Sequence, residues 1–257
     1  MINILIYGVK GYIGSNLKYY LEKNNNVKIV ISNYNKIETQ EQIIDDINIL
    51  KPNRIISCIG LVKNKKQFST KFLDEDEYLV HNLQNNLNIH LLISDLCLKL
   101  NIHFTYIGTG CIYTSKNNNI FDEEDEPNFF GSNYSIVKGF TDKLLSLNKE
   151  KILILRLRQC LSDDGSQQNF INKFLKFDNI SDIQNSFTVI PSIFPIVSKL
   201  VIEKKTGKFN CVNTGSISVK EILNIYNKKN YKIINRDTLY ENYSNNILST
   251  KKLENFH

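Results

Sequence analysis

The sequence predicts an α/β fold organised around a doubly wound parallel sheet. Apolar runs of strand length recur along the first part of the chain, and segments with helical periodicity separate them. This alternation is typical of parallel strands, since parallel neighbours need a long, usually helical, connection. The second observation is a set of three glycines directly after the first apolar run, where a strand would give way to a helix.

Each predicted element has a recognisable segment. Helices are expected near residues 12–24, 39–50, 76–99 and 132–148. From about Leu161 onward the pattern changes to shorter mixed segments, so a smaller, partly helical region follows the sheet. The five runs expected to form strands are INILIYG, VKIVIS, RIISCIG, HFTYIGTG and KILILRLR.

Composition narrows the class of protein. The 257 residues, 42% of them hydrophobic, are enough to build a sizeable core. We find no run of about 18 apolar residues and no amino-terminal signal pattern, so we expect a cytoplasmic protein without membrane contact. The net charge of +6 comes from scattered lysines, which predicts solvated helix faces and no nucleic-acid partner, although it favours phosphorylated ligands.

Cysteine and histidine usage argues against disulfides and metals. The five cysteines are odd in number, widely spaced and mostly set in apolar surroundings, which is typical of reduced thiols. Neither the cysteines nor the four histidines show metal-ligand spacing. We therefore expect no protein-bound catalytic metal.

The opening glycines predict a dinucleotide site. Gly8, Gly11 and Gly14 lie where a βα turn presents backbone N–H groups and a helix N-terminus to a pyrophosphate. Gly8 would permit the tight turn, and Gly11 would let the phosphates approach the backbone closely. Gly14 would let the helix pack closely on the sheet. We assign the intervening Tyr12 and Ile13 to the same cofactor site. Ordinary turn glycines are the alternative, and the position behind a strand favours the dinucleotide.

The end of the second strand favours NADPH over NADH. An acidic residue there would bind the ribose 2′-hydroxyl of NAD, but VISNYNK offers Asn33 and Lys36 instead. Lys36 suits a 2′-phosphate, with a solvated loop lysine as the alternative. Gly60, after the third strand, would let the backbone approach the cofactor, unless it marks a plain turn. The prediction is an NADP-binding Rossmann-type domain over 1–160 and a smaller C-terminal substrate-binding region over 161–257, some of whose segments could return to the sheet.

A second motif predicts carbonyl chemistry. Tyr134 and Lys138 are four residues apart and so lie on one helix face. A phenol has an ordinary pKa of about 10, and a neighbouring ammonium would lower it. Thr109 follows the fourth strand and could offer a second hydroxyl to a substrate carbonyl. An amphipathic helix without catalytic function would show the same pair.

These motifs together resemble the extended short-chain dehydrogenase/reductase family. A narrower resemblance, to the nucleotide-rhamnose synthase group of UDP-4-keto-6-deoxyglucose 3,5-epimerase/4-reductases and their dTDP-4-dehydrorhamnose reductase relatives, comes from further segments. It extends almost to the C-terminus and is weakest between residues 61 and 85. The segments are TGCIY, EEDEPNFFGSNYSIVK, LRLRQCLSDD, NFINKF, NSFTVI, VNTGSISVKEIL and NNILSTKKL.

The resemblance implies roles for five residues. Tyr134 would protonate the C4 oxygen of a 4-keto sugar, Thr109 would hydrogen-bond that oxygen, and Lys138 would hold the nicotinamide ribose. Cys111 and Lys173 would be the acid/base pair for epimerisation at C3 and C5, with the order of the two left open. The alternatives are a small buried residue for Cys111 and a helix-surface lysine for Lys173.

The sequence also offers candidates for substrate contact and for bracing. We assign substrate contact to Asn128, Ser132 and Asn169, although Pro127 and Gly131 make the first of these segments a natural loop. In the family an asparagine braces the fourth helix against the active site. Asn86 would take this place, unless it is an ordinary residue on the helix face.

The expected function is the conversion of an NDP-4-keto-6-deoxyglucose to NDP-L-rhamnose, with UDP favoured over dTDP. A dehydratase on a separate chain is implied, since Gly110 and Cys111 replace the acidic pair of the 4,6-dehydratases. The alternatives are a reductase acting alone and a non-catalytic, NADP-sensing regulator. The resemblance makes a homodimer possible.

Overall fold

A parallel sheet of six strands forms the centre of the molecule. The computed structural model describes residues 1–62, 69–235, 237–238 and 243–256. The sheet order is β2-β1-β3-β4-β6-β8, and every neighbouring pair is parallel. The strands are β1 (Ile2–Tyr7), β2 (Val27–Val30), β3 (Arg54–Ser57), β4 (His103–Thr109), β6 (Leu153–Leu157) and β8 (Gly207–Asn210). Five of the six are the predicted strands, and the predicted α/β fold is confirmed.

Helices follow most strands, as the alternating pattern predicts. All four predicted helices are present, and the one expected near 76–99 is divided into α3, a π-helical turn at Gln84–Asn88, and α4. The helices are α1 (Tyr12–Leu21), α2 (Gln40–Leu50), α3 (Leu79–Leu83), α4 (Ile89–Lys99), α5 (Asn133–Ser146), α6 (Phe170–Phe174), α7 (Ile190–Ile202), α8 (Val219–Ile225) and α9 (Lys251–Phe256).

Alternation of side chains along the strands builds a core on each face of the sheet. Ile4 and Ile6 of β1 pack with α1, α7 and α9, whereas Leu5 and Tyr7 pack with α2, α4 and α5. All four side chains are almost fully buried. The sheet is thus covered by helices on both sides, which is the doubly wound arrangement.

The sixth strand comes from the second part of the chain. Strand β8 pairs with β6 and carries Asn210, which is buried and donates to Phe121 O and Ser249 O, each at 3.3 Å. The sequence GKFN lacks an apolar run, so periodicity gave no indication of a strand there. The division at residue 160 stays a prediction.

A smaller cluster lies beyond the sheet. Phe174, Phe187 and Leu223 pack together with Leu161 and Ile222 in a separate core. Short strands β5 (Ile120–Phe121) and β10 (Ile247–Leu248) pair, as do β7 (Asn179–Ile180) and β9 (Lys232–Ile233). Within the described residues, no helix has the length and apolar character needed to cross a bilayer.

Asn86 occupies the π-helical turn and braces it. Its buried side chain accepts from Leu61 N at 3.2 Å and donates to Leu61 O at 3.1 Å and to Asn82 Oδ1 at 2.9 Å. Its backbone carbonyl accepts from Thr141 Oγ1 of α5 at 2.6 Å. One residue therefore joins the loop after β3, helix α3 and helix α5, while its role in bracing a helix against the active site stays a prediction.

A buried ion pair ties α5 to β6. Arg156 donates from Nε to Asp142 Oδ2 at 2.9 Å and from Nη2 to Oδ1 at 2.7 Å. A third bond runs from Arg156 Nη1 to Glu123 O at 3.0 Å. Both charged side chains are almost fully buried. The fork geometry and the extra carbonyl offset part of the desolvation cost, so loss of one partner would leave a buried charge.

We expect Asp142→Asn to lower the free energy of unfolding by about 3–5 kcal/mol, because a neutral amide leaves the Arg156 charge uncompensated. Urea denaturation would measure it. The matched control is Glu126→Gln, which removes an exposed pair with Lys143 at 2.9 Å and should cost less than about 1 kcal/mol. Equal effects of the two substitutions would contradict this account.

Candidate functional site

The glycine-rich turn is shaped so that Gly8 and Gly14 cannot be replaced without moving the backbone. Gly8 has φ +80°, and a Cβ there would lie 2.8 Å from Cys58 O. A Cβ on Gly14 would overlap the carbonyl oxygen of Gly8. Gly11 N donates to Gly8 O at 3.0 Å, and Gly11 begins α1 without a side-chain cap. The ten-residue helix α1 thus begins just after β1 with an N-terminus that no side chain caps. The backbone N–H groups at such a terminus suit a pyrophosphate.

Tyr12 and Ile13 lie in the first turn of α1, and Tyr12 connects that turn to the other half of the molecule. The Tyr12 hydroxyl and the Ser162 hydroxyl are 2.7 Å apart. Partial burial of Tyr12 raises the pKa of its phenol to about 12. Ile13 is partly buried against the core that contains α7. The residue predicted to contact cofactor also contacts the segment after β6.

In the loop after β2, the lysine that the sequence assigns to the cofactor forms an exposed ion pair. Lys36 is paired with Glu38, with Nζ and Oε1 2.5 Å apart. Lys10, from the glycine-rich turn, instead reaches across and donates from Nζ to Asn35 Oδ1 at 3.1 Å. Asn33 is held at the strand end by a backbone bond to Asp46 Oδ1 at 3.3 Å. The sequence singled out Lys36, whereas Lys10 has no carboxylate partner among the described residues.

Thr109 and Tyr134 meet at the carboxyl end of β4. The Thr109 hydroxyl is close enough to the Tyr134 phenol to lower the pKa of Tyr134 through a side-chain interaction. Desolvation is the larger effect and, with the charge of Cys111, raises the pKa of Tyr134 above its ordinary value. This differs from the expectation that Lys138 would lower it, because burial dominates at this position. At neutral pH the phenol is therefore protonated and able to donate.

Lys138 lies about one helical turn after Tyr134 on α5 and is buried. It is 4% exposed, its Nζ lies 4.4 Å from the ring centre of Tyr106, and it donates to Ile107 O at 3.5 Å. Burial lowers the pKa of Lys138 to about 7, against the opposing charges of Asp142, Cys111 and Cys58. The ammonium is accordingly close to its own titration point at neutral pH.

Cys111 and Lys173 approach the site from two different elements. Cys111 is half-buried after β4, and its N–H donates to Thr109 Oγ1 at 3.1 Å. Lys173, on α6, lies with Nζ 4.4 Å from the ring centre of Phe170. Both act on Cys160: burial raises the pKa of that thiol to about 12, the charge of Cys111 raises it further, and Lys173 lowers it. The two predicted epimerisation residues are thus both close enough to Cys160 to influence its pKa.

The three predicted substrate contacts all take part in local structure. Asn128 bonds the backbone of Thr114 in both directions, at 2.9 and 3.0 Å, and Ser132 caps α5 by accepting from Ser135 N at 3.2 Å. Asn169 caps α6, and its buried amide makes bonds to Ile171 N, Ser162 N, Ser162 O and Asp164 O. For Asn169, substrate contact would require one of these bonds to be exchanged. All three assignments stay predictions.

Gly60 is exposed after β3, and a Cβ there would lie 3.4 Å from Asn86 Oδ1. An added side chain would therefore press on the residue that braces the π-helical turn. The geometry is compatible both with cofactor approach and with a plain turn.

Sequence reasoning missed Arg158, which follows β6. Arg158 is 2% exposed and donates from Nη1 to Cys111 Sγ at 2.9 Å. The alternation of leucine and arginine in LRLR resembles a half-exposed strand, so nothing in the pattern marks Arg158 as buried. Only the pairing of Leu157 with Thr109 shows that the residues after these two strands must meet.

Comparison with known proteins gives a consistent result. The NAD dependent epimerase/dehydratase family model matches residues 4–176. Protein L780 of Acanthamoeba polyphaga mimivirus is 35% identical over 98% of this chain and 92% of its own length. Its crystal structure, described as a UDP-rhamnose synthase, superimposes with a TM-score of 0.92 at 33% identity, covering 100% of this chain and 93% of L780.

Two further proteins extend the comparison. A bifunctional dTDP-4-dehydrorhamnose 3,5-epimerase/dTDP-4-dehydrorhamnose reductase of Arabidopsis thaliana is 30% identical, covering 87% of this chain and 74% of that protein. A dTDP-4-dehydrorhamnose reductase of Bacillus anthracis, solved with NADP, has a TM-score of 0.78 at 18% identity, covering 99% of this chain and 92% of that one. At 18% identity the likeness shows the fold alone. On the family match and the two relatives at 30% identity or more, the chain belongs to the NAD dependent epimerase/dehydratase family and, within it, to the extended short-chain dehydrogenase/reductase group of rhamnose synthases.

Proposed function

We propose that this chain is an NADPH-dependent 3,5-epimerase/4-reductase that converts an NDP-4-keto-6-deoxyglucose to NDP-L-rhamnose, with UDP as the nucleotide. The observation that carries the proposal is the placement of Cys111 beside Thr109 and Tyr134: the Cys111 N–H donates to Thr109 Oγ1, and both residues influence the pKa of Tyr134. A reductase needs only Thr109 and Tyr134, whereas a thiol next to these two residues suits proton transfer at carbon. The resemblance to L780, described as a UDP-rhamnose synthase, supports UDP.

The reduction is assigned to the residues around Tyr134. When bound, NADPH supplies the hydride that adds to C4 of the keto sugar. Tyr134 donates its phenolic proton to the C4 oxygen, and Thr109 hydrogen-bonds the same oxygen. The raised pKa of Tyr134 suits this task, because a proton donor must still be protonated at neutral pH. Lys138, four residues after Tyr134 on the same helix, would hold the cofactor ribose.

Epimerisation is assigned to Cys111 and Lys173. A carbonyl at C4 acidifies the C–H bonds at C3 and C5, so each inversion needs one group to remove a proton and another to return it from the opposite face. Cys111 comes from the sheet edge and Lys173 from α6, which supports access from two sides. Asn169 supports this geometry by capping α6 and so fixing the turn that carries Lys173.

The nucleotide end of the substrate is assigned to a cleft of about 560 Å³ next to Lys173. Lys71 and Lys176 also line it, with Glu75 as the acidic member, and Phe177 offers an aromatic surface. The excess of positive charge suits a diphosphate, and the half-exposed Phe177 ring suits a base.

A separate dehydratase is proposed to supply the 4-keto substrate. The 4,6-dehydratases carry an acidic pair where Gly110 and Cys111 stand here. A Cβ on Gly110 would lie 2.7 Å from Leu248 Cδ1 and 3.3 Å from Arg158 Cδ, which leaves little room for an acidic side chain. A homodimer and a cytoplasmic location stay predictions.

The decisive experiment supplies UDP- and dTDP-4-keto-6-deoxyglucose with NADPH and identifies the product by NMR. We expect UDP-L-rhamnose, with deuterium from heavy water at C3 and C5. Cys111→Ser should slow turnover of the gluco substrate by about 10²–10⁴-fold, because one proton-transfer group is lost, while the already epimerised 4-keto sugar is still reduced.

A variant that lacks the proposed proton donor for reduction separates the reduction step from the epimerisation step. Tyr134→Phe should abolish reduction and leave deuterium uptake measurable. If Cys111→Ser does not affect turnover of the gluco substrate, the chain is a reductase alone. If no keto sugar oxidises NADPH, the regulator alternative stands in its place.

Gly14→Ala should weaken NADPH binding by at least about tenfold, since the new Cβ would overlap the Gly8 carbonyl and displace the turn. The matched control is Gly165→Ala, where no atom lies within 4 Å of the added carbon. Fluorescence titration with NADPH checks both, and similar affinities for the two variants would exclude the turn as the cofactor site.

Lys10, with Asn35, is proposed to hold the 2′-phosphate, since Lys36 is already paired with Glu38. Lys10→Ala should raise KM for NADPH about five- to tenfold and leave KM for NADH nearly unchanged, because only NADPH carries the phosphate. Lys36→Ala is the control, with a smaller expected effect. A larger effect at Lys36 would restore the assignment made from the sequence.

A further inference from the structure

A buried guanidinium touches the cysteine proposed for proton transfer. Arg158 Nη1 lies 2.9 Å from Cys111 Sγ, and the whole side chain is 2% exposed. The contact follows from the sheet register: Leu157 pairs with Thr109, so the segments after β6 and β4 emerge side by side. Arginine stays charged under all ordinary conditions, so a fixed positive charge faces the sulfur.

The guanidinium is held firmly in place. Arg158 Nη2 donates to Asn185 Oδ1 at 2.9 Å and to Ser244 O at 2.6 Å. Its backbone is fixed as well, by Thr188 Oγ1 at 2.9 Å and Thr188 N at 2.7 Å. These contacts aim Nη1 at Cys111 without contributing a negative charge of their own.

The neighbouring arginine provides an internal comparison. Arg156, two residues earlier, is neutralised by Asp142 through two short bonds. Within the described part of the chain, no carboxylate forms such a pair with Arg158, and its Nε has no hydrogen-bond partner. A buried charge without a counter-ion is costly. A thiolate on Cys111 is the negative charge that this arrangement fits.

Other charged and titratable groups face Cys111 as well. Tyr134 and Lys138 face it from α5, and Cys160 faces it from the segment after β6. Of these, Lys138 is the only further cation, and its charge is weakened by burial, which lowers its pKa to about 7. Arg158 is therefore the permanent positive charge in direct contact with the sulfur.

We propose that Arg158 is a positioning residue that holds Cys111 as a thiolate, and that Cys111 is consequently the base of the epimerisation. This proposal rests on the proposed function. The C–H bond at C3 or C5 breaks, its proton goes to Cys111 Sγ, and the electron pair moves into the C4 carbonyl as an enolate. The Lys173 ammonium then gives a proton to the opposite face of the same carbon. Exchange with solvent water returns the Cys111 thiol and the Lys173 amine to their starting forms.

The test measures deuterium uptake at C3 and C5 by the enzyme with bound NADP⁺, which allows exchange but no reduction. Arg158→Gln keeps a donor for Asn185 and Ser244 but removes the charge. We expect exchange at pH 7 to fall by at least about tenfold and to recover to within about threefold of wild type near pH 9.5, where a thiol ionises unaided. Arg158→Lys keeps the charge and should retain more exchange at pH 7 than Arg158→Gln.

Two further readouts separate a charge effect from a structural one. NADPH reduction of the already epimerised 4-keto sugar should change by less than about threefold in both variants. Alkylation of Cys111 by iodoacetamide, followed by mass spectrometry across pH, should require a higher pH in Arg158→Gln than in wild type. Uptake that falls by the same factor at every pH, or does not fall, would overturn the role of Arg158.

Failure of the proposed function would have a different signature. Wild-type enzyme would then show neither deuterium uptake nor reduction, while the alkylation profile of Cys111 would still depend on Arg158. If Arg158→Gln does not fold, Arg158→Lys decides the question. The proposal is supported if Arg158→Lys still takes up deuterium at C3 and C5 and the pH dependence of that uptake is displaced from wild type. The proposal is contradicted if deuterium uptake falls by the same factor at every pH.

Discussion

The parallel direction of the six strands is the constraint on which the site depends. Because all strands run the same way, their carboxyl ends lie at one edge of the sheet, and each delivers one part of the site there. Strand β1 ends at the glycine-rich turn, β4 at Thr109, and β6 just before Arg158. The order reverses between β1 and β3, which opens the crevice where Gly8 meets Cys58 O. An antiparallel neighbour would have placed its end on the other side.

Buried charge is the second organising feature, and the chain handles it in three ways. Arg156 is neutralised by a carboxylate, Lys138 is brought close to its neutral form by burial, and Arg158 is held by an amide and a carbonyl beside a thiol. Asp142 connects the first two, since it bonds Arg156 and also opposes the shift in the pKa of Lys138. Stability of the α5–β6 contact and the electrostatics of the site therefore share one carboxylate.

The sequence predicts local features of this protein, such as strands and motifs, better than contacts between segments that are far apart in the chain. Periodicity revealed five strands because each is an apolar run, and it missed β8 because Asn210 and Lys208 are buried with polar partners. The motifs and the resemblance they carry assigned Thr109, Tyr134 and Cys111 to one site, and the three residues lie close together in the structure. Contacts between distant segments were out of reach: Arg158 with Cys111, Lys10 with Asn35, and Tyr12 with Ser162 all join residues whose proximity follows only from the sheet order.

The π-helical turn at Gln84–Asn88 places one extra residue within a single turn of helix. Because the extra residue is accommodated inside that turn, α3 and α4 keep the rotational phase of a continuous helix, and Ile93 and Cys97 of α4 pack against the sheet. Deleting one residue there would convert the turn to an α-helical one and leave α4 in place. The deletion would instead displace Asn86, and with it the bonds to Leu61 and Thr141 that connect this turn to the loop after β3 and to α5.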